Sequence, residues 1–148
     1  MVEVKVTEQQ AYEGFFKGVD CSQAVFGELA PQLGMDRETA MKVSANFGGG
    51  MWQGETCGCV VGALMALGLK YGQADSVDPE KKAVMQETAA RFCALFSERF
   101  GSCICREMLG YKIPEEMPKI MEENKFGTVC CKAAVAACEI AAEILNEG

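Results

Sequence analysis

The sequence predicts an all-α fold: a single-domain helical bundle of about six to seven helices over residues 1–148. Three observations carry this. Apolar residues recur at helical spacing along most of the chain, the stretches so patterned are bounded by glycine, proline or capping residues, and no sustained period-2 alternation flanked by hairpin turns occurs.

Thr7–Lys17 carries Ala11, Phe15 and Phe16 at helical spacing and stops at Gly18. Asp20 caps a second helix, whose stripe of Ala24, Val25, Leu29 and Leu33 runs to Gly34 and whose first turn holds Cys21. A third helix, Asp36–Asn46, leads into the triple glycine Gly48–Gly50, where backbone can turn tightly or approach a ligand closely. The stretch that organises the chain follows. Thr56 is the expected cap of a helix over Cys57–Tyr71, so Cys57 falls in a first turn, where unpaired N–H groups and the helix dipole favour a thiolate. Gly58 and Gly62, with Ala63 and Ala66, give this helix a narrow face suited to close packing.

After the polar connection Gly72–Val77, Asp78-Pro79 opens a long helix to Phe100 with an apolar face at Ala89, Phe92, Cys93, Phe96 and Phe100. Gly101-Ser102 ends it and caps a short helix that begins Cys103-Ile104-Cys105-Arg106 and stops near Gly110. Pro114 introduces Glu115–Asn124, and Gly127-Thr128 leads into Val129–Asn146, headed by Cys130-Cys131. No fixed-period repeat, low-complexity tract or linker divides the chain.

Composition narrows the functional classes. A formal charge of −7 with scattered lysine and arginine argues against a nucleic-acid partner, which needs clustered cations. The longest apolar run, Cys57–Leu69, is interrupted by three glycines and falls short of the roughly 20 residues that span a bilayer, so no membrane association is expected. The segment Met1–Gln10 does not resemble a signal peptide, and the expectation is a cytoplasmic protein. Nine cysteines beside no histidine is the most informative count. An odd number of thiols in such a chain points to metal binding or thiol chemistry rather than a disulfide framework. The missing histidine removes Ser-His-Asp and Cys-His catalysis, His-ligated zinc and His-ligated haem.

Seven cysteines share one local grammar, a capping residue followed by sulfur within a first helical turn. Asp20 precedes Cys21, Thr56 precedes Cys57 and Cys59, Ser102 precedes Cys103 and Cys105, and Thr128 precedes Cys130 and Cys131. Four helix starts that converge would form a site for a polyanionic thiolate–metal centre. The bland alternative, cysteine as a small core hydrophobe, is preferred for Cys93 and Cys138, which lie on apolar helical faces. No Cys-x-x-Cys occurs, so zinc-ribbon, thioredoxin and ferredoxin signatures are absent. In the Cys-x-Cys pairs 57/59 and 103/105, two residues of ideal helix rotate the side chain by about 200°. Either the backbone there is irregular or one thiol of each pair faces elsewhere.

The segments Asp20-Cys21-Ser22-Gln23-Ala24-Val25, Phe47-Gly48-Gly49-Gly50-Met51, Gly54-Glu55-Thr56-Cys57-Gly58, Gly62 to Gly72, and Cys105-Arg106-Glu107-Met108-Leu109-Gly110 resemble the redox-active C_GCAxxG_C_C family over nearly the whole chain. The resemblance implies a small helical protein with four characteristic cysteines, related to the non-haem part of split-Soret cytochromes c, where an iron–sulfur centre accompanies the haems. Carried over, those cysteines fall on Cys21, Cys57, Cys105 and one of Cys130 or Cys131. Cys59 stands where the family motif has alanine, and Cys103 is additional. Haem attachment does not carry over, since Cys-x-x-Cys-His is absent. A homodimer is a further implication of the resemblance.

The leading expectation is an electron-transfer protein that holds an iron–sulfur cluster, of unspecified type, on Cys21, Cys57, Cys105 and Cys130 or Cys131, and serves a redox partner protein. Cys59 and Cys103 are further candidate thiols for the same centre. Two rivals are a metal-free thiol–disulfide oxidoreductase, with Cys57 attacking and Cys59 resolving, and a zinc or copper(I) thiolate module. Arg106 is expected to favour the Cys105 thiolate, Trp52 to anchor its loop, shield the centre or meet a partner, and the methionines to fill the core. The pairs Glu115-Glu116 and Glu122-Glu123 read as a solvated face.

Overall fold

Each helix begins and ends where its local chemistry requires. The computed structural model describes residues 1–148 and contains eight α-helices and no strand. Helix α1, Glu8–Phe16, is closed by a capping box between Thr7 and Gln10. Asp20 and Gln23 form the same box at the start of α2, Cys21–Leu29. The apolar stripe that reaches Leu33 is continuous, but the backbone tightens into a 3₁₀ turn over Ala30–Leu33, where Pro31 interrupts the α-helical hydrogen bonding. Asp36 accepts the Thr39 N–H at 2.9 Å and opens α3, Arg37–Ser44.

The core lies between α2, α4 (Gly58–Tyr71), α5 (Pro79–Phe100) and α8 (Cys131–Glu147). Helix α8 buries residues on most of its circumference, among them Ala134, Ala137, Ile140, Ala141, Ile144 and Leu145. Alanines on that helix let α1, α2, α4 and α5 approach it closely. The expected narrow face of α4 has that use: a Cβ on Gly62 would stand 2.7 Å from the Ser22 carbonyl oxygen, and one on Gly58 3.0 Å from the Cβ of Cys21. Helix α5 is mostly solvent-exposed and enters the core through the stacked pair Phe92 and Phe96, ring centroids 5.8 Å apart.

Three short elements complete the chain, whose α-helices number eight against the about six to seven expected. Helices α6, Cys105–Leu109, and α7, Met117–Glu122, are separate pieces, and a wide turn at Phe126–Cys130 runs directly into α8. Helix α7 is shorter than the Glu115–Asn124 segment read from the sequence, because Pro118 lies in its first turn and Glu116 caps it instead of joining it. Buried apolar residues divide into a main cluster of 23 and a satellite of five, Cys105, Leu109, Ile113, Ile120 and Cys130. Only Phe15 and Cys21 pack against both. The seam between the two clusters holds five of the nine cysteines. No helix is long and apolar enough to cross a membrane.

Candidate thiolate site

Five of the nine sulfurs meet at one cavity of about 350 Å³, lined mainly by apolar side chains. They are Cys21, Cys57, Cys59, Cys105 and Cys130. Each stands at the beginning of a helix. Cys21 is the first residue of α2 and Cys105 the first of α6, Cys57 caps α4 with Cys59 in its first turn, and Cys130 precedes α8. The amino ends therefore converge, which is the condition the sequence set for a site, although three of the four caps differ from those read there.

Asp20 keeps its expected role. Thr56 does not cap α4, because it is drawn into an isolated antiparallel bridge with Ile104, flanked by Cys57 N–H to Cys103 C=O at 2.8 Å and Cys105 N–H to Glu55 C=O at 2.6 Å. This backbone splice sets Cys57 and Cys105 side by side. It also settles the Cys-x-Cys geometry. Cys57 is extended, at φ −52° and ψ 133°, so it and Cys59 both reach the cavity from one side. Cys103 lies outside the helix and turns away, toward α5, where its Sγ contacts Ser97 Oγ at 3.2 Å. Ser102 caps nothing there but accepts the Ile104 N–H at 2.9 Å.

Of the adjacent pair in the last helix, Cys130 lines the cavity, whereas the Cys131 thiol donates to the Gly127 carbonyl at 3.2 Å and faces the main core. Thr128 likewise donates to the Asn124 carbonyl and leaves the helix start uncapped. Cys103 and Cys131 are thus the two candidates that the fold does not bring to the cavity. Cys138 is fully buried in the core, as read. Cys93 packs against that core but is partly exposed, on the side that faces Cys103.

The loop between α3 and α4 forms the cavity's other wall. Gly49, Gly50, Met51 and Trp52 all have φ between 56° and 64°, one turn of left-handed helix. That conformation costs roughly 1–2 kcal/mol per non-glycine residue, so the surroundings must hold Met51 and Trp52 in it. A Cβ at Gly50 would lie 2.4 Å from the Glu55 nitrogen and 2.9 Å from the Cβ of Cys105. The triple glycine is what lets this loop press against a cysteine-bearing helix. Arg106 clamps it from outside, its Nη1 2.9 Å from Glu55 Oε1 and 3.1 Å from the Gly54 carbonyl.

Electrostatics follow from this packing. Hydrogen bonds from the Cys130 and Cys59 thiols, with a smaller contribution from the Gly49 N–H, hold Cys21 well below the usual thiol range despite its burial. The converse falls on the donors. Cys59, which donates to Cys21 and Cys57, and Cys130, which donates to Cys21, are both held well above that range. Burial pushes Cys105 up to about 12, and the Arg106 charge is spent on Glu55 instead of lowering it. No three side chains of metal-binding type surround a position that would hold a single ion.

Met108, Met117, Met121, Phe15 and Phe126 close the cavity. The sequence treated the methionines as packing, and their even scatter carries no signal that three would meet here. A family model described as "Putative redox-active protein (C_GCAxxG_C_C)" matches residues 19–144. The chain belongs to the C_GCAxxG_C_C family. The matched span contains all five thiols of the cavity. No curated protein and no solved structure matches the chain.

Proposed function

We propose that this C_GCAxxG_C_C protein holds an iron–sulfur cluster in the cavity, on thiolates drawn from Cys21, Cys57, Cys59, Cys105 and Cys130, and exchanges electrons with a redox partner protein. One observation supports the reading above others: five thiols from four separate helix starts line one mainly apolar cavity of about 350 Å³. The donor set fits such a group, since soft thiolates are the ligands of iron–sulfur clusters and apolar walls exclude water from them. Five thiols at one cavity are more donors than the four a single zinc ion takes, which suits a polynuclear centre.

When bound, the cluster supplies a centre that gains and loses electrons. The chain supplies the rest. The Gly49 N–H donates to Cys21 and compensates part of its negative charge, and the other helix starts present dipoles of the same sign. Met108, Met117 and Phe126 keep water out. Half-exposed Trp52 and Met121 lie at the edge of the cavity, where a partner protein would approach. Cys59, Cys105 and Cys130 are held protonated by the fold and must each lose a proton from Sγ to become ligands, so loading is favoured by raising pH.

The test is anaerobic purification or reconstitution, followed by a visible spectrum and assays of iron and acid-labile sulfide. A brown protein with both is expected. Cys21→Ser should lose the chromophore and Cys138→Ala keep it. A colourless protein that takes up neither iron nor sulfide on reconstitution overturns the proposal.

Metal-free thiol–disulfide exchange is the second reading, and one observation favours it. Cys21, drawn toward its anion, touches two protonated thiols, so it would attack and Cys59 or Cys130 would resolve, in place of the Cys57/Cys59 pairing read from spacing. That reading requires a protein without iron and an oxidised Cys21.

A further inference from the structure

Away from the cavity, a second pair of thiols meets on the opposite side of the splice. Gly101, at φ 81°, ends α5 in a left-handed turn, and the chain doubles back along the helix it has just left. Three residues after α5 ends, the Cys103 Sγ lies 3.6 Å from the Cys93 carbonyl oxygen and 3.2 Å from Ser97 Oγ, and its thiol neighbours that of Cys93. Cys93 and Ser97 are four residues apart, so they share the helix face on which Cys103 rests. Both sulfurs are partly exposed, and neither lines the cavity.

We propose that Cys93 and Cys103 form a redox-active dithiol, a thiol-modification site separate from the cavity, that is oxidised to an intramolecular disulfide by low-molecular-weight disulfides. One protein thiolate attacks a sulfur of the small disulfide, breaking its S–S bond, forming a mixed disulfide and expelling one small thiolate. The other protein thiolate then attacks the protein sulfur of that mixed disulfide, forming the Cys93–Cys103 bond and expelling the second small thiolate. The protein pair loses two electrons, the small disulfide gains them, and the two protons from the protein thiols end on the two small thiols. Local geometry makes the second step intramolecular and short. The product reaches the cavity by way of the backbone: the carbonyl of Cys103 accepts the Cys57 N–H at 2.8 Å, so tying Cys103 to α5 fixes one anchor of the splice.

The pair lies apart from the cavity thiols, and peptide mapping reads it directly. Full-length protein, purified anaerobically with whatever centre it carries, is incubated with increasing bis(2-hydroxyethyl) disulfide, quenched in acid, alkylated and digested with trypsin. Expected is a linked pair of peptides, Phe92–Arg99 joined to Phe100–Arg106, with a mass lower by the two hydrogens lost on oxidation. Fragmentation should place the bond on Cys103 rather than Cys105. In Cys103→Ser, Cys93 should remain alkylatable or carry only the mixed disulfide. In Cys93→Ser the linked pair should likewise vanish, and reduction of wild type should restore both thiols. Linkage of either sulfur to a cavity cysteine, or full alkylation of both at oxidant levels that convert a free peptide dithiol, overturns the proposal.

Discussion

Cys21 is drawn toward its anionic form by the thiols of Cys130 and Cys59, while those two and Cys105 are held protonated. A cluster forming there would meet one ligand already prepared and others that must be deprotonated, which makes Cys21 the residue whose loss is felt first. Cys138 behaves differently because only the core surrounds it. Burial raises its pKa, so the folded protein keeps a proton that the unfolded chain releases above about pH 8.5. The sign follows: its contribution to stability is complete below that pH and declines as pH rises toward the folded value. Urea unfolding of the reduced protein should therefore show a midpoint that falls above about pH 8.5, and Cys138→Ala should make that fall shallower. At this scale the sequence was partly legible. The split between Cys130 and Cys131 depends on a wide turn that spacing does not encode, and Cys103 turns outward because the bridge at Ile104 outcompetes a helix start.

Left-handed backbone over Gly49–Trp52 is costly for Met51 and Trp52, and it walls the cavity. Gly50→Ala adds a Cβ that collides with the backbone of Glu55, in a conformation already unfavourable for alanine. Gly18→Ala has the conformational cost alone, since no atom lies within 4 Å of its would-be Cβ. Chemical denaturation should accordingly find Gly18→Ala destabilised by about 1 kcal/mol and Gly50→Ala by clearly more, with iron uptake impaired only in the latter. A Gly50→Ala protein as stable as Gly18→Ala would mean the loop relaxes away from Cys105. The main helices were readable because capping residues and apolar periodicity agree, as at Asp20, Asp36 and Asp78. The left-handed turn was not, since the glycine run marked flexibility but nothing in Met51 or Trp52 announces positive φ.

Across the whole molecule, the thiols sit on a seam between unequal parts. Cys57 and Cys59 belong to the main core, Cys105 and Cys130 to the five-residue satellite, and Cys21 touches both. The satellite buries little apolar area of its own, so in protein stripped of metal residues 104–130 should open at lower free energy than α4 or α8. Amide hydrogen exchange should find that segment the least protected of the buried regions, and reconstitution with iron and sulfide should slow it far more than it slows α8. Equal protection with and without metal would argue that no ligand bridges the seam. Neither part was visible as such in the sequence, where the fold class and the cysteines near helix starts were. Division of a core is a property of long-range packing, and no local pattern records it.

The paired backbone at Thr56 and Ile104 has an architectural corollary. It cinches the long α4–α5 excursion at its neck, leaving the tip, from Gly72 to Asp78, solvent-exposed apart from half-covered Gln73 and remote from the sulfurs. Such a tip is a natural port for cargo: a short peptide tag or fluorophore attachment sequence spliced between Asp75 and Ser76 should leave the optical spectrum and iron content of the reconstituted protein unchanged, and so offer a handle for capturing proteins that bind at the opposite end.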